Sequence, residues 1–303
     1  MAKFRPSAGL ILAVGERAFE FVPHPLFSDE SDSVFVMEGG EALIYQVRDV
    51  TTKSLYALKF IKPAYRSEHI ARVTETVRRS SDIPGFSMPN RICLTMAEYP
   101  DLLKTYPDLE YAVLMPWLVG KTWSGLMLDQ AASARYTLQQ ACALAATVAQ
   151  LLQKLESLHL AHSDIAGGNI WLSPDLKRVQ FLDLEGLYIP GVPPPPFYSR
   201  GTPGYQHHHL GPRGQWCPEG DRFAGAILLT EILTWWNPRV RACVADQAET
   251  LFQPAELQTN RASCWSEVRN TLWSIRPGLL YLFDQVWSST SLTECPDLAS
   301  WSI

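Results

Sequence analysis

The sequence predicts an α+β protein in two lobes, a β-rich first third followed by a helical remainder. Between residues 34 and 118, short apolar runs of strand character alternate with turn residues, and only RSEHIARVTETVRR at 66–79, free of Gly and Pro, reads as a helix. After Gly120 the period changes: Leu138, Cys142, Ala145, Val148, Leu152, Leu155 and Leu158 recur at helical spacing. A chain of 303 residues, 47% of them hydrophobic and 19% charged, can bury a sizeable core in both halves.

Residues 1–33 read as an N-terminal extension ending in the acidic turn SDESDS, residues 34–118 as the first lobe and 119–303 as the second. Within the extension, the apolar stretch Ala8–Val14 stops at Gly15-Glu16-Arg17 without a small-residue cleavage pattern, so it reads as part of a fold and not as a signal peptide. SVFVMEGGEALIYQVRD gives two β-runs around a glycine pair, and SLYALKFIK a further strand stopped by Pro63. ICLTMAEYP and YAVLMPWLV give two more. Thr137, with Gln140 three residues on, forms a capping box for the long helix. NIWL and VQFLDL are short β-runs, and PGVPPPP at 190–196 must be an exposed, polyproline-like loop. A strongly apolar helix is expected from about Asp221 to Trp236, and a helical remainder carries four of the ten tryptophans.

Bulk properties exclude some classes. A net charge of −5 gives no basic field for nucleic acid, and no apolar run is long enough to span a bilayer, so neither nucleic acid nor membrane is an expected partner. Cysteines 93, 142, 217, 243, 264 and 295 are scattered with no CxxC pair. This argues against a zinc site or disulfide framework and fits reduced thiols in a cytoplasmic protein.

The chemistry lies in ordered motifs. His162-Ser163-Asp164-Ile165-Ala166-Gly167-Gly168-Asn169 has the spacing H-x-D-x-x-x-x-N, and fourteen residues after Asn169 comes Asp183-Leu184-Glu185-Gly186. Tyr56-Ala57-Leu58-Lys59 places a lysine on a strand, and fifteen residues earlier Ile44 follows the loop Met37-Glu38-Gly39-Gly40-Glu41-Ala42. A lone lysine on a strand is ordinarily a solvated charge. The full set, in order, matches the needs of phosphoryl transfer: a cation for phosphates, hard oxygens for a metal, and an aspartate for the acceptor hydroxyl.

These motifs resemble the eukaryotic-like (Hanks-type) Ser/Thr protein kinases, specifically divergent bacterial ones, over roughly residues 34–290. Gly201-Thr202-Pro203-Gly204-Tyr205 looks like the family's acceptor-peptide segment. Asp221, sixteen residues past Tyr205, opens DRFAGAILLTEILT and matches the aspartate that supports the catalytic loop. The resemblance implies a bilobal protein-kinase-like fold, ATP and Mg²⁺ (or Mn²⁺) as cofactors, and a protein substrate of unknown identity. It implies Lys59 on the α- and β-phosphates, Asp164 on the acceptor hydroxyl, Thr202 touching Asp164, and Asn169 and Asp183 on the metal. Met37, Gly39, Gly40, Ala42, Ile44 and Ala57 would line the nucleotide, Met115 to Leu118 would form the hinge, and Trp171 would lie under adenine. Glu75, sixteen residues past Lys59, is its expected partner, with Glu68 as the alternative.

The sequence also departs from the family pattern. Ser163 replaces the arginine before the catalytic aspartate, so loop phosphorylation is not the expected switch. Ala166 stands where a lysine usually serves the γ-phosphate, and Leu184-Glu185 replaces Phe-Gly. Two of the three loop glycines are Met37 and Ala42. The internal triple His207-His208-His209 sits where Ala-Pro-Glu is usual and reads as structural before it reads as a metal site. The expected activity is therefore Ser/Thr phosphotransfer by an atypical kinase. The alternatives are a catalytically weak scaffold and a small-molecule kinase of the same superfamily.

Overall fold

The structure, a computed structural model, describes residues 4–24, 33–79, 85, 91–244, 248–259 and 263–302. The acidic turn expected at 28–33 lies, except for Ser33, outside the described residues. The fold is mixed α+β, and the chain divides into two compact units. The first comprises Met1–Asp82, Ser87–Leu118 and Pro193–Phe197. The second comprises Ile83–Phe86, Val119–Val192 and Tyr198–Ile303.

In the first unit, strands β1 (Ile11–Val14), β2 (Arg17–Phe21), β3 (Val36–Glu38), β4 (Ala42–Asp49), β5 (Leu55–Ile61), β6 (Ile92–Cys93) and β7 (Val113–Pro116) pair in the order β1-β2-β4-β5-β7-β6, with β3 also on β4. Every pair is antiparallel. The N-terminal extension is thus part of this sheet, because β2 pairs Phe19, Glu20 and Phe21 with Asp49, Arg48 and Val47 of β4. Alternation along β4 and β5 sends Tyr45, Val47, Tyr56, Leu58 and Phe60 to one face, where they form a core with Phe4, Phe19, Phe21 and Leu114. On the opposite face, Ala42, Ile61, Cys93 and Val113 pack with Ile70 of α1 (Glu68–Arg79).

One expectation needs correction here. ICLTMAEYP supplies only the two-residue β6, and the chain then turns into α2 (Pro100–Thr105), led by Pro100 at its first turn. Apolar character alone did not separate a strand from a packed turn. The Pro-rich segment is the exposed loop expected, and it is tied down at two points. The His69 ring on α1 donates from Nδ1 to the Pro193 carbonyl at 2.8 Å, and Phe197 lies 5.2 Å from Tyr65, ring to ring.

The second unit holds β8 (Lys121–Thr122), α3 (Trp123–Leu128), α4 (Gln130–Arg135), α5 (Leu138–Ser157), β9 (Ile170–Leu172), β10 (Val179–Phe181), α6 (Arg222–Thr234), α7 (Pro238–Ala242), α8 (Pro254–Thr259), α9 (Trp265–Ile275) and α10 (Pro277–Ser288). Strands β10, β9 and β8 form a small antiparallel sheet. The capping box at α5 is present: Thr137 Oγ1 accepts from Gln140 N–H at 3.2 Å, and Gln140 Oε1 accepts from Thr137 N–H at 3.0 Å. The buried stripe of α5 runs from Ala141 through Leu144, Val148 and Leu152 to Leu155, while Leu138 and Leu158 at its ends are exposed.

Helix α6 is buried on all sides from Phe223 to Thr234, which is why its sequence is apolar without a polar face. Arg222 Nε donates to Glu156 Oε1 at 2.6 Å, and Glu156 Oε2 accepts from Leu298 N–H at 2.8 Å, tying α5, α6 and the C-terminal turn together. Trp287 and Trp301 are core residues, whereas Trp273 is 59% exposed. All six cysteines are free. Among the described residues no helix is long and apolar enough to cross a membrane.

Candidate functional site

The residues named above fall in both units, and each group is described in its own unit. In the first, strand register decides the outcome. Met37 pairs with Ile44, Ile44 with Lys59 and Lys59 with Val113; Ala57 pairs with Met115. Directly paired residues project to the same side of a sheet. Met37, Ala42, Ile44, Ala57, Lys59 and Met115 therefore share one face, the face on which Ile70 of α1 also packs.

Lys59 is 5% exposed, an unusual state for a lysine. Gly39 and Gly40 lie at the exposed tip of the β3–β4 hairpin, closed by Gly39 N–H to the Ala42 carbonyl at 2.9 Å. Neither glycine has a positive φ, and a Cβ added at either meets nothing nearer than 3.6 Å. The turn itself therefore does not require them, and their smallness leaves the hairpin's outer surface bare. Lys62 Nζ donates to the Gly39 carbonyl at 2.7 Å and holds the tip. Leu118 follows β7 and is half-buried.

The Glu75 carboxylate is bound to its own helix. It pairs with Arg78 at 2.5 Å and Arg79 at 2.6 Å, and Glu68 pairs with Arg72 at 2.9 Å. Neither glutamate stands as an isolated carboxylate, because both sit one turn before an arginine.

In the second unit, the loop 162–169 is held from below by Asp221 at the start of α6. Its Oδ2 accepts from His162 N–H at 2.6 Å and its Oδ1 from Ser163 N–H at 2.9 Å. Burial raises the Asp221 pKa, opposed by the His162 charge and those two donors. The His162 ring donates from Nε2 to the Leu182 carbonyl at 2.6 Å, and Leu182 N–H donates to the Asn169 carbonyl at 2.8 Å. Those bonds join the loop to the segment carrying Asp183.

Ser163 (φ 67°) and Asp183 (φ 55°) both adopt left-handed backbone. Such conformations cost energy and persist only where the surroundings impose them. At Ser163 the imposing group is Asp221. Gly167 is demanded by contact: a Cβ there would lie 2.7 Å from Ser124 Oγ, 2.8 Å from Tyr205 Oη and 2.9 Å from Trp123 Cδ1. Ala166 is buried.

Asp164 itself is half-exposed, and its Oδ1 accepts from Thr202 Oγ1–H at 2.9 Å. Its Oδ2 has no protein donor among the described residues. Asn169 Nδ2 donates to the Asp164 carbonyl at 2.8 Å, which leaves the Asn169 Oδ1 facing away from that bond. Asp183 is exposed at the head of a short 3-10 turn. An amide oxygen and a carboxylate are hard donors of the kind Mg²⁺ or Mn²⁺ takes, and they fit such an ion held jointly with phosphate oxygens. Trp171 is buried on β9, paired with Thr122 of β8 and Gln180 of β10.

In the triple histidine, the His207 ring is held by the fold. His207 Nδ1 accepts from His209 N–H at 2.9 Å, and its Nε2–H points at Ser289 Oγ at 3.0 Å. Burial first, then its histidine neighbours, drives its pKa down to about 4. Both ring nitrogens are engaged by the fold.

Two further residues were not legible as site residues. Glu231, buried within α6, gathers three donors: Tyr205 Oη–H at 2.5 Å, Trp123 Nε1–H at 3.1 Å and Leu251 N–H at 2.6 Å. Through Tyr205 it holds the segment that carries Thr202. A glutamate inside an otherwise apolar helix was the available signal. Arg91, 2% exposed, reaches Met115 Sδ from NH1 at 3.6 Å, and no local pattern announces it. Comparison of the chain with protein-family models and with curated proteins finds no match to either.

Proposed function

We propose that the chain transfers phosphate from ATP to Ser or Thr hydroxyls of a protein substrate, as a divergent kinase of the eukaryotic-like (Hanks) type with a bilobal fold. The observation that carries this reading is the Thr202–Asp164 hydrogen bond. A hydroxyl of the Gly201–Tyr205 segment already donates to one Asp164 oxygen, in the way an acceptor hydroxyl must be gripped, and the second oxygen is left for the acceptor itself.

On this reading Asp164 orients the acceptor hydroxyl and takes its proton. Thr202 fixes the Asp164 rotamer. Asp221, through the backbone of residues 162 and 163, sets the height of the loop. Asn169 and Asp183 would hold Mg²⁺ or Mn²⁺, which supplies charge neutralisation for the phosphates. Lys59, buried on a face lined by Ile44, Ala57 and Met115, offers one cation beside an apolar wall, as a nucleotide's phosphates and base require. A protein substrate is favoured over a small molecule because Glu231, Tyr205 and Gln215 build the 201–205 segment into the fold. A metabolite has no use for such a platform.

The test is transfer from γ-labelled ATP with Mg²⁺ or Mn²⁺, comparing the wild type with Asp164→Ala and Asp183→Ala. Phosphoserine or phosphothreonine on protein, lost in both variants, is expected. Labelling of a metabolite alone, or nucleotide binding with no transfer to any acceptor, overturns the reading.

A further inference from the structure

Apart from the loop 162–169, the second unit contains a cavity of about 530 Å³, within the range of small-molecule sites. Its walls are mainly apolar: Val119, Leu126, Tyr136, Leu172 and Leu176. They come from the β8 approach, α3, the α4–α5 junction and the β9–β10 turn. Gly120 sits at its edge in close approach to β9, since a Cβ there would lie 2.2 Å from the Leu172 carbonyl oxygen. Leu172 ends the strand that begins beside Asn169.

The polar groups lining this cavity are unequally engaged. Of the two carboxylates, Asp129 has both oxygens engaged and Asp175 has donors on Oδ1 alone. Asp129 pairs with Lys121 and accepts from Ala132 N–H at 2.9 Å. Asp175 accepts from Ser173 Oγ–H at 2.5 Å and from Lys177 N–H at 3.2 Å. The Tyr136 hydroxyl donates to the Ile232 carbonyl at 3.2 Å. The donors are different. Lys121 is held by Asp129, but the Arg135 guanidinium has no hydrogen bond or ion pair among the described residues. Gln140 engages its Oε1 with Thr137 and leaves its NH₂ without an acceptor. A guanidinium without a protein partner among the described residues, beside an apolar wall, selects an anion, bidentate where possible.

We propose that this cavity is a second binding site, taking a small organic anion whose apolar body lies against Leu126, Tyr136, Leu172 and Leu176 and whose charged end meets Arg135 and Gln140. The proposal rests on the cavity alone and is independent of the phosphotransfer reading.

The test uses the full chain and 1-anilinonaphthalene-8-sulfonate, an aromatic anion whose fluorescence rises in apolar surroundings. Saturable one-to-one binding is expected. Arg135→Gln should weaken it about tenfold or more, the loss that accompanies removal of a charge-assisted hydrogen bond. Ala132→Trp should fill the cavity and abolish binding. If that variant melts early, Val119→Trp, at an exposed position on the rim, blocks the mouth with the fold checked by circular dichroism. The uncharged N-phenyl-1-naphthylamine should bind wild type no better than the sulfonate binds the Arg135→Gln variant. Absence of saturable binding overturns the proposal, as does binding unchanged in Arg135→Gln and Val119→Trp. Tighter binding of a cationic probe of the same ring size, or displacement of the sulfonate by ATP while both variants bind normally, overturns it too.

Discussion

The sheet face carrying Lys59 and the loop carrying Asp164 are built in opposite ways. The first is a matter of register. Once β4, β5 and β7 pair as they do, period-two alternation puts Ile44, Ala57, Lys59 and Met115 on one side and the core residues Tyr45, Leu58 and Leu114 on the other. The second is a matter of buried acids. Asp221, which caps α6, and Glu231, within it, use every carboxylate oxygen on groups from other segments, while Asp164 keeps one oxygen without a donor among the described residues. Three acids in one unit thus divide into two with every oxygen engaged and one with an oxygen open. Burial and hydrogen-bond completeness make the division, because a buried acid with all acceptors filled is held in place and cannot take a substrate's proton.

The sharpest test of that division is Asp164→Asn. It should lower phosphotransfer by about 10²–10⁴-fold, the usual contribution of a positioned base, and leave the melting temperature nearly unchanged. Comparable destabilisation in this variant would place Asp164 with the scaffold. Asp221→Ala should do the reverse first. It strands the His162 and Ser163 N–H groups in a buried site and should cost about 2–4 kcal/mol in denaturant unfolding, with activity falling as a consequence.

Glu231 gives a pH signature. Burial, opposed by its three donors, pushes its pKa up to about 7 from 4.5. The folded state therefore holds a proton that the unfolded chain has released between those values. This group's contribution is full below about pH 4.5 and is lost as pH rises to about 7, a change of roughly 3 kcal/mol. Asp221 shifts in the same direction and remains in both proteins. Stability profiles of wild type and Glu231→Gln should differ by that slope, and identical profiles would remove Glu231 from the account. The smallest expected effect belongs to the other region. Lys59→Met should weaken nucleotide binding by about tenfold, through loss of one charge-assisted contact, and change stability little, because Met fits the same buried strand position. A large stability loss would mean that Lys59 serves the sheet and not a ligand.

Much of the first region was legible because its determinants are local or periodic. The strand pattern and the Ile44–Lys59 separation depend on a hairpin register, and in the second unit the Thr137–Gln140 box likewise depends on residues a few positions apart. Where the reading failed, local signals were ambiguous. ICLTMAEYP was apolar enough for a strand, yet became a two-residue strand, a turn and the start of α2. Glu75 has the expected separation from Lys59, and Arg78 and Arg79 one turn away also pair with its carboxylate. Sequence separation says which residues can meet, and a cation one turn away can share the carboxylate.

The sequence by itself determined the class, two units of different character, and the ordered spacing of Lys59, Asp164, Asn169 and Asp183, since periodicity and spacing are properties of the chain. Only the tertiary structure decided which acids were buried and what they held. The bonds of Asp221 to residues 162 and 163 are those the resemblance implied, whereas Glu231 meets Trp123 across 108 residues and His69 meets Pro193 across 124. No local pattern encodes such pairs. They follow from which helix is packed in the centre, and a buried polar group must then find its partner wherever the packing has put one.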